Sequence, residues 1–293
     1  MLLAGASGAI GRYLVPQLIA AGHEVIGITR RAGSLAGTGA SELVADVSDR
    51  AEFLLSLTGI EADAVVNQLT ALKKAPLFYR DMQETNRLRL EGTSNLIAGA
   101  RRVGATKLVS ASIFYGYGFR EHDMEFLEET APFGEPDGRN DAVQAALLGL
   151  EQQTRAFGGV ALRYGLFYAP GVTSVSPVPR TWNARLPMLH ISDAAAAVVL
   201  ALAAGGPGEA YNIADDHPSS FRDRGFALAR AAGLRRPMEL PESVLRVAAP
   251  FGSQLITRTR IRMSMEKAKR DLGWEPQYPS LAEGLSVSTR AAS

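Results

Sequence analysis

Short apolar runs alternate with stretches of helical period through the first two thirds of the chain. Met1–Ala4 reads as a strand, and Ile10–Ala21 as a helix with Pro16 inside it, where a kink is expected. His23–Thr29 and Glu42–Val47 are strand-like. Asp63–Leu69 is another strand, with Ala64, Val65 and Val66 in a run that reads as buried. The pattern then predicts one long helix from about Phe78 to Val103, a strand over Lys107–Ser112, a helix over Asp141–Phe157 and a strand over Val160–Tyr164. Strands alternating with helices argue for a parallel sheet covered on both faces, a Rossmann-like doubly wound α/β fold.

The pattern changes after Gly165. Tyr168–Arg185 is rich in Pro, Gly, Ser and Thr and reads as a long loop, which is unusual without a function. Ser192–Ala204 reads as a helix and Ala210–Ala214 as a short strand. Further helices are predicted near Ser220–Ala232, Pro241–Ala249 and Met265–Leu272. The expected organisation is a dinucleotide-binding domain over 1–165, to which 188–214 returns. Residues 166–187 and 215–293 then form a smaller C-terminal α/β unit that binds substrate.

Composition narrows the classes. Of 293 residues 46% are hydrophobic and 21% charged, which suits a chain that buries a core. The net charge of +1 comes with no basic block, so neither nucleic acid nor an anionic membrane is an expected partner. With no Cys, disulfides, thiolate metal sites and a Cys nucleophile are excluded. The four His are far apart and no metal site is expected. No apolar run approaches the ~18 residues of a membrane span, and no charged segment precedes the first apolar residues, so the expected location is the cytoplasm.

The sharpest chemical signal is Gly5-Ala6-Ser7-Gly8-Ala9-Ile10-Gly11, between the first strand and the first helix. Glycines here permit a tight turn, close approach of backbone N–H groups to a pyrophosphate, and packing of helix on strand. The helix N-terminus adds partial positive charge beneath the phosphates. A Gly-rich turn without a ligand is the plainer alternative. The second strand ends in Thr29-Arg30-Arg31, with no Asp or Glu between 29 and 34. An acidic residue there would hold a ribose 2′-hydroxyl, whereas Arg30 and Arg31 suit a 2′-phosphate, so NADP(H) is expected over NAD. Asp46, with Val47 beside it, is placed either to meet the adenine or to cap a turn. Asn67 and Leu69 close the fourth strand on the expected cofactor path, where a packing role is the alternative.

These pieces together resemble the extended short-chain dehydrogenase/reductases, the NAD-dependent epimerase/dehydratase superfamily. The resemblance rests on Gly5–Gly11, Asp46-Val47, Asp63-Ala-Val-Val-Asn67, Glu91-Gly-Thr-Ser-Asn-Leu96 and Lys107-Leu-Val-Ser-Ala-Ser112. It continues through Leu162-Arg-Tyr-Gly-Leu-Phe-Tyr-Ala-Pro-Gly171, His190-Ile-Ser-Asp193 and Asp271-Leu-Gly-Trp-Glu-Pro276. It implies a nicotinamide-dinucleotide domain, a smaller substrate domain and a cleft between them, with Tyr168-Ala-Pro-Gly171 as a turn beside the nicotinamide. It also implies a Ser or Thr at the end of the fifth strand and a Tyr-x-x-x-Lys pair for proton transfer. Here this chain departs from the family. Counted back from Glu151, the Tyr position falls on Val143 and the Lys position on Leu147, and no Tyr-x-x-x-Lys occurs anywhere in the chain.

Three residues stand as replacements: Ser112 at the end of the fifth strand, and Tyr115 and Tyr117 just beyond it. Ligands of such sheets bind outside the strands' carboxyl ends. A structural Tyr-Gly turn is the alternative for Tyr115. Arg163 is placed to support the cleft, and Arg180 and Arg185 are placed to hold an anionic substrate or to face solvent. His122 is expected to be solvated and His190 to be a structural partner. An NADP(H)-dependent oxidoreductase on a small carbonyl, hydroxyl or imine compound, with non-standard proton transfer, ranks first. A non-catalytic NADP-binding sensor or scaffold, a nucleotide-sugar epimerase or dehydratase, and a non-redox enzyme on the same fold remain open. A homodimer through the 78–103 and 141–157 helices is an expected assembly.

Overall fold

The computed structural model describes residues 1–122, 126–171 and 176–286. Parts of the acidic loop after Glu121, of the Pro-rich loop after Gly171 and of the 215–293 unit therefore lie outside the described residues. The order is β1 (Leu2–Ala4), α1 (Gly11–Ala20), β2 (Ile26–Thr29), β3 (Ser41–Val44), α2 (Arg50–Ser56) and β4 (Ala64–Asn67). A helical run holds α3 (Gln83–Arg87) and α4 (Thr93–Arg102). After it come β5 (Lys107–Ile113), α5 (Asp141–Ala156) and β6 (Val160–Tyr164). Short strands follow: β7 (Leu166–Tyr168), β8 (Val178–Pro179), β9 (Arg185–Leu186) and β10 (Met188–His190). They lead into α6 (Ile191–Ala204) and β11 (Ala210–Ile213). The last elements are β12 (Ser219–Ser220), α7 (Phe221–Ala231), β13 (Glu239–Leu240), α8 (Glu242–Ala248), α9 (Gly252–Thr257), α10 (Glu266–Leu272) and α11 (Leu281–Ser286).

Seven strands form one sheet in the order β11-β6-β5-β4-β1-β2-β3, every neighbouring pair parallel. The pleat sorts side chains between two cores. Leu2, Ala4, Val65 and Leu108 meet Phe53 of α2 and Leu96 and Ala100 of α4. Leu3, Val66 and Val109 meet Leu14 and Leu18 of α1 and Ala195 and Val198 of α6. Burial on both faces explains why the strands read as unbroken apolar runs. The chain runs outward from β1 to β3 and returns to β4 on the other side of β1, so the crevice that receives ligands in such sheets opens at the carboxyl ends of β1 and β4.

The helix expected over 78–103 is not continuous. It starts as a 3-10 turn, Tyr79–Met82, and widens to a π turn over Leu88–Gly92 between α3 and α4. The widening falls where Arg89 turns inward and donates from Nη2 to the Tyr115 hydroxyl at 2.7 Å. The sequence pattern also missed the short helices α2, α9 and α11.

A buried joint ties the C-terminal elements to the sheet. The Tyr168 hydroxyl donates to Asp215 Oδ2 at 2.6 Å and to the Ser280 carbonyl, and the His190 amide donates to Asp215 Oδ1. Asp193 accepts from the Tyr278 amide, and its carbonyl accepts from the Trp274 indole. The His190 ring packs against Tyr168 and Tyr278, which makes it the structural partner expected of it. Burial pushes Asp215 up to about 7, against the bonds from Tyr168 and His190 that pull it down, and pushes His190 down to about 4. Asp193 is raised by burial as well.

The two large shifts act on stability with opposite sign. Asp215 keeps its proton in the folded protein above the unfolded value of 3.8, so it favours folding at low pH, and that contribution fades as pH rises to about 7. His190 loses its proton on folding, so its contribution is present above 6.5 and is lost as pH falls toward 4. In the Asp215→Asn variant the opposition from Asp215 is gone, and that from Asp193 and Glu129, both raised by burial, remains. Urea midpoints from pH 4.5 to 6.5 should therefore rise more steeply in the variant than in the wild type, approaching about 1.4 kcal/mol per pH unit at most. Parallel profiles in the two proteins would contradict the buried, protonated Asp215.

Candidate functional site

The site begins where β1 runs into α1. Gly5 has φ +87°, and a Cβ on it would stand 2.5 Å from the Gln68 carbonyl, so β1 and β4 can close over this turn only with glycine there. A Cβ on Gly11 would run into the Ala6 carbonyl. The Gly8 amide donates to the Gly5 carbonyl at 2.9 Å, which leaves Ser7, Gly8 and Ala9 exposed at the head of α1 and Ile10 half-buried. No side chain caps α1; the Arg12 and Tyr13 amides donate to the Gly8 and Ile10 carbonyls, so the amides just before them are the ones that can face an anion.

Beside this loop lies a pocket of about 310 Å³ lined by Ser7, Arg30, Arg31, Ala32, Gly33 and Ser34. Glu42 of β3 organises its wall without entering the pocket lining. Its carboxylate accepts from the Gly33 and Leu35 amides and from Thr29 Oγ1. The Gly33 amide does most to hold Glu42 below the usual carboxylate range. Of the residues lining this pocket, Arg30 and Arg31 are those expected at the adenosine ribose, and Ser7 belongs to the loop expected at the pyrophosphate.

Other expected cofactor contacts are committed to the protein itself. Asp46 Oδ1 accepts from the Ser48 amide in a tight turn, and the Val47 side chain is in the core while its carbonyl accepts from Asn95. Asn67 donates to Thr93 Oγ1 at 3.0 Å and accepts from the Leu69 amide, so neither its amide group nor the Leu69 N–H is free for a ribose. Tyr168, which opens the turn expected beside the nicotinamide, has its side chain wholly buried in the joint with Asp215.

The replacement acids are corrected in the same way. Ser110 and Ser112 share one face of β5, and that face is turned to α5. Ser110 Oγ accepts from Thr154 Oγ1, and Ser112 Oγ donates to Glu151 Oε1 at 2.6 Å. The opposite face carries the half-buried Ala111 and Ile113. Glu151 also receives Arg163, whose Nε and Nη2 reach the carboxylate at 2.8 to 3.2 Å, and both side chains are buried. Burial works against the charged Arg163, but the bonds to Glu151 overcome it and hold the guanidinium above its ordinary value. Arg163 Nη1 donates to the Tyr117 hydroxyl, which donates in turn to Asn212 Oδ1 at 2.7 Å. Burial pushes the Tyr117 phenol up to about 12, against the pull of Arg163. A phenol with both its lone pair and its proton engaged, and 1% exposed, has no route to a substrate.

Tyr115 is also buried, stacked on Phe119 at 5.3 Å, with its hydroxyl accepting from Arg89. On α5, Val143 and Leu147 lie in the apolar core. The arrangement therefore holds a loop and pocket suited to a dinucleotide, with Ser112 and Tyr117 locked in a buried network. Arg163, expected to support the cleft, supports that buried network. Nothing in the sequence marked Glu151 and Asn212 as its other members. His122, expected to be solvated, is half-buried.

Fold and site together define an oxidoreductase of the nicotinamide-dinucleotide class. The family model described as the NAD dependent epimerase/dehydratase family matches residues 1–214, and the chain belongs to that family. It is 32% identical to a 3-diazoavenalumate denitrifying reductase from a Streptomyces species, over 97% of this chain and 98% of that protein. It is 28% identical to a 2-alkyl-3-oxoalkanoate reductase from Stenotrophomonas maltophilia, over 97% of each. Among solved structures it superposes on a UDP-glucose 4-epimerase from Thermotoga maritima, with a TM-score of 0.77, 18% identity and coverage of 100% and 99% of the two chains. A dTDP-glucose 4,6-dehydratase from Streptomyces venezuelae with NAD bound gives 0.77 at 22% identity, with 99% and 95% covered. At these identities the two structures establish the fold.

Glu151→Gln leaves Arg163 buried with its charge uncompensated and weakens the acceptor of Ser112. A loss of about 3–5 kcal/mol in the urea unfolding free energy is expected. A cost below about 1 kcal/mol would mean that Arg163 is solvated.

Proposed function

We propose that the chain is an NADPH-dependent reductase delivering hydride to a small carboxylate-bearing acceptor, one whose reduction draws no proton from a Tyr/Lys pair. The observation that carries this reading is the replacement of that pair by the buried Val143 and Leu147, with the hydroxyls of Ser112 and Tyr117 committed to Glu151, Arg163 and Asn212. The cofactor preference is supported by the pocket of Ser7, Arg30, Arg31 and Ser34, which offers two guanidinium groups and no carboxylate to a ribose substituent. The bound dinucleotide would supply the hydride. Gly5–Gly11 and the head of α1 would hold its pyrophosphate.

Both curated relatives are reductases of compounds named as carboxylates. Their acceptor groups differ in what they ask of a protein. Hydride added to a ketone leaves an alkoxide that must take up a proton, the task of the missing pair. Hydride added to the carbon of a diazonium group forms the C–H bond while the C–N bonding pair departs with dinitrogen, and no proton is needed at that centre. The apolar Val143 and Leu147 favour the second acceptor. The nucleotide-sugar epimerase or dehydratase reading needs a strong base, and this site offers none of the family's type.

Calorimetric titration should show NADPH binding at least about tenfold tighter than NADH, with the difference lost in Arg30→Ala. Equal affinities in the wild type would sink the cofactor assignment. With diazotised 3-amino-4-hydroxybenzoate, NADPH oxidation above the protein-free rate should release one dinitrogen per NADPH and persist in Tyr115→Phe. No oxidation above the protein-free rate with this acceptor, together with reduction of a 3-oxoalkanoate that is lost in Tyr115→Phe, would overturn the diazonium reading and favour a ketone.

A further inference from the structure

The smaller C-terminal unit contains a cation without a counter-ion. Arg224 lies in the first turn and a half of α7, a helix capped by Ser220, whose Oγ accepts from the Asp223 amide. Its guanidinium reaches across to β7 and donates from Nη2 to the Phe167 carbonyl at 2.9 Å. Its Nε is buried and meets no acceptor. Among the described residues no carboxylate lies within ion-pair distance of it. Asp223 accepts from Ser220, Asp216 pairs with Lys269, and Glu239 pairs with Arg222 at 2.8 Å. The fully buried arginines are satisfied, Arg163 by Glu151 and Arg89 by Asn86 and Tyr115, whereas Arg224 is half-buried. Burial alone pushes Arg224 down to about 10.

The position of this charge is as informative as its isolation. β7 continues directly from β6 at the carboxyl end of the sheet, and the Phe167 ring is 5.3 Å from that of Tyr164, the last residue of β6. On its other side α7 sits on the Pro-rich loop, since Gly225 packs against Val178 of β8. Arg224 therefore stands on the helix that joins β7 to β8, beside the carboxyl end of β6. A guanidinium with a buried, unpartnered N–H is costly unless an anion completes it, and its planar fork matches a carboxylate. Arg180 and Arg185, the arginines singled out by sequence for an anion, are both exposed. Arg185 donates to the Pro218 carbonyl.

We propose that Arg224 receives the carboxylate of the acceptor and sets the enzyme's preference for anionic substrates. This rests on the proposed class of acceptor. It extends that proposal by assigning the anion to an unpaired arginine of α7 rather than to the exposed arginines of the Pro-rich loop.

The test is a calorimetric comparison of acid and amide pairs, cinnamate with cinnamamide and octanoate with octanamide, on the protein with and without NADP⁺. The wild type should bind at least one acid about 10- to 100-fold more tightly than its amide. Arg224→Met should abolish that preference and leave NADP⁺ affinity unchanged, while Arg224→Lys should keep part of it. Because the variant removes an uncompensated buried charge, Arg224→Met without ligand should melt no lower than the wild type, which guards against misfolding as the explanation. A wild type without charge preference on either pair, or a preference that survives in Arg224→Met, overturns the proposal. So does a loss of NADP⁺ affinity in that variant, which would assign Arg224 to a cofactor phosphate. A preference for acids in the absence of NADP⁺ would uphold the proposal even if the cofactor assignment failed. Tight NADPH binding with no acid preference would leave the cofactor assignment standing and Arg224 without its role.

Discussion

The buried ion pair between Glu151 and Arg163 is the constraint around which the centre of this molecule is arranged. It joins α5 to β6, takes the hydroxyl of Ser112 from β5 and, through Arg163, the phenol of Tyr117. Arg163 also lies over the Phe133 ring at 3.9 Å, so the loop between β5 and α5 closes on the same charge. A buried pair of this kind is costly to desolvate and becomes tolerable only when nearly every lone pair and N–H is used. Ser112, Tyr117 and the Glu129 carbonyl perform that service. Hydroxyls that satisfy a buried salt bridge are poorly placed to exchange protons with a substrate.

That constraint connects the fold to its chemistry. The family resemblance implies a proton-transferring Tyr and a Lys on α5, two turns and one turn before the position of Glu151. Here the same helix keeps the structural glutamate and gives the two preceding positions to Val143 and Leu147. The helix packs as before, because apolar residues at i and i+4 serve a core directly. The proposed consequence is a different range of acceptors. Of the two curated relatives, one is named for a diazo compound and the other for a 3-oxo acid.

The cofactor end of the molecule follows a separate logic. Gly5 and Gly11 are required by close backbone approaches, and the turn after β2 owes its shape to Glu42. A carboxylate in this neighbourhood would ordinarily argue for a ribose hydroxyl partner, but Glu42 is spent on the backbone of residues 33–35 and the loop it shapes presents Arg30 and Arg31. The neighbouring acid thus shapes the loop that presents two guanidinium groups. Among the C-terminal elements Arg224 is half-buried, with a buried Nε that meets no acceptor.

Much of this was readable in the amino-acid order. The parallel sheet, the helices on both faces and the phosphate loop follow from apolar periodicity and from glycines at one strand–helix junction, because pleat and helix period are local properties of the chain. The absence of Tyr-x-x-x-Lys is equally a fact of sequence. The tertiary structure alone decided which polar side chains were spent. Ser112, Tyr117, Asn67 and Tyr168 all carry groups that could serve a ligand, and each is engaged by a partner 26 to 112 residues away in the chain. The break in the helix at Leu88–Gly92 depends in the same way on Arg89 finding Tyr115 across the fold. Hydrogen-bond partners at such separations are chosen by how sheets and helices pack, and no periodicity of residues along the chain encodes that choice.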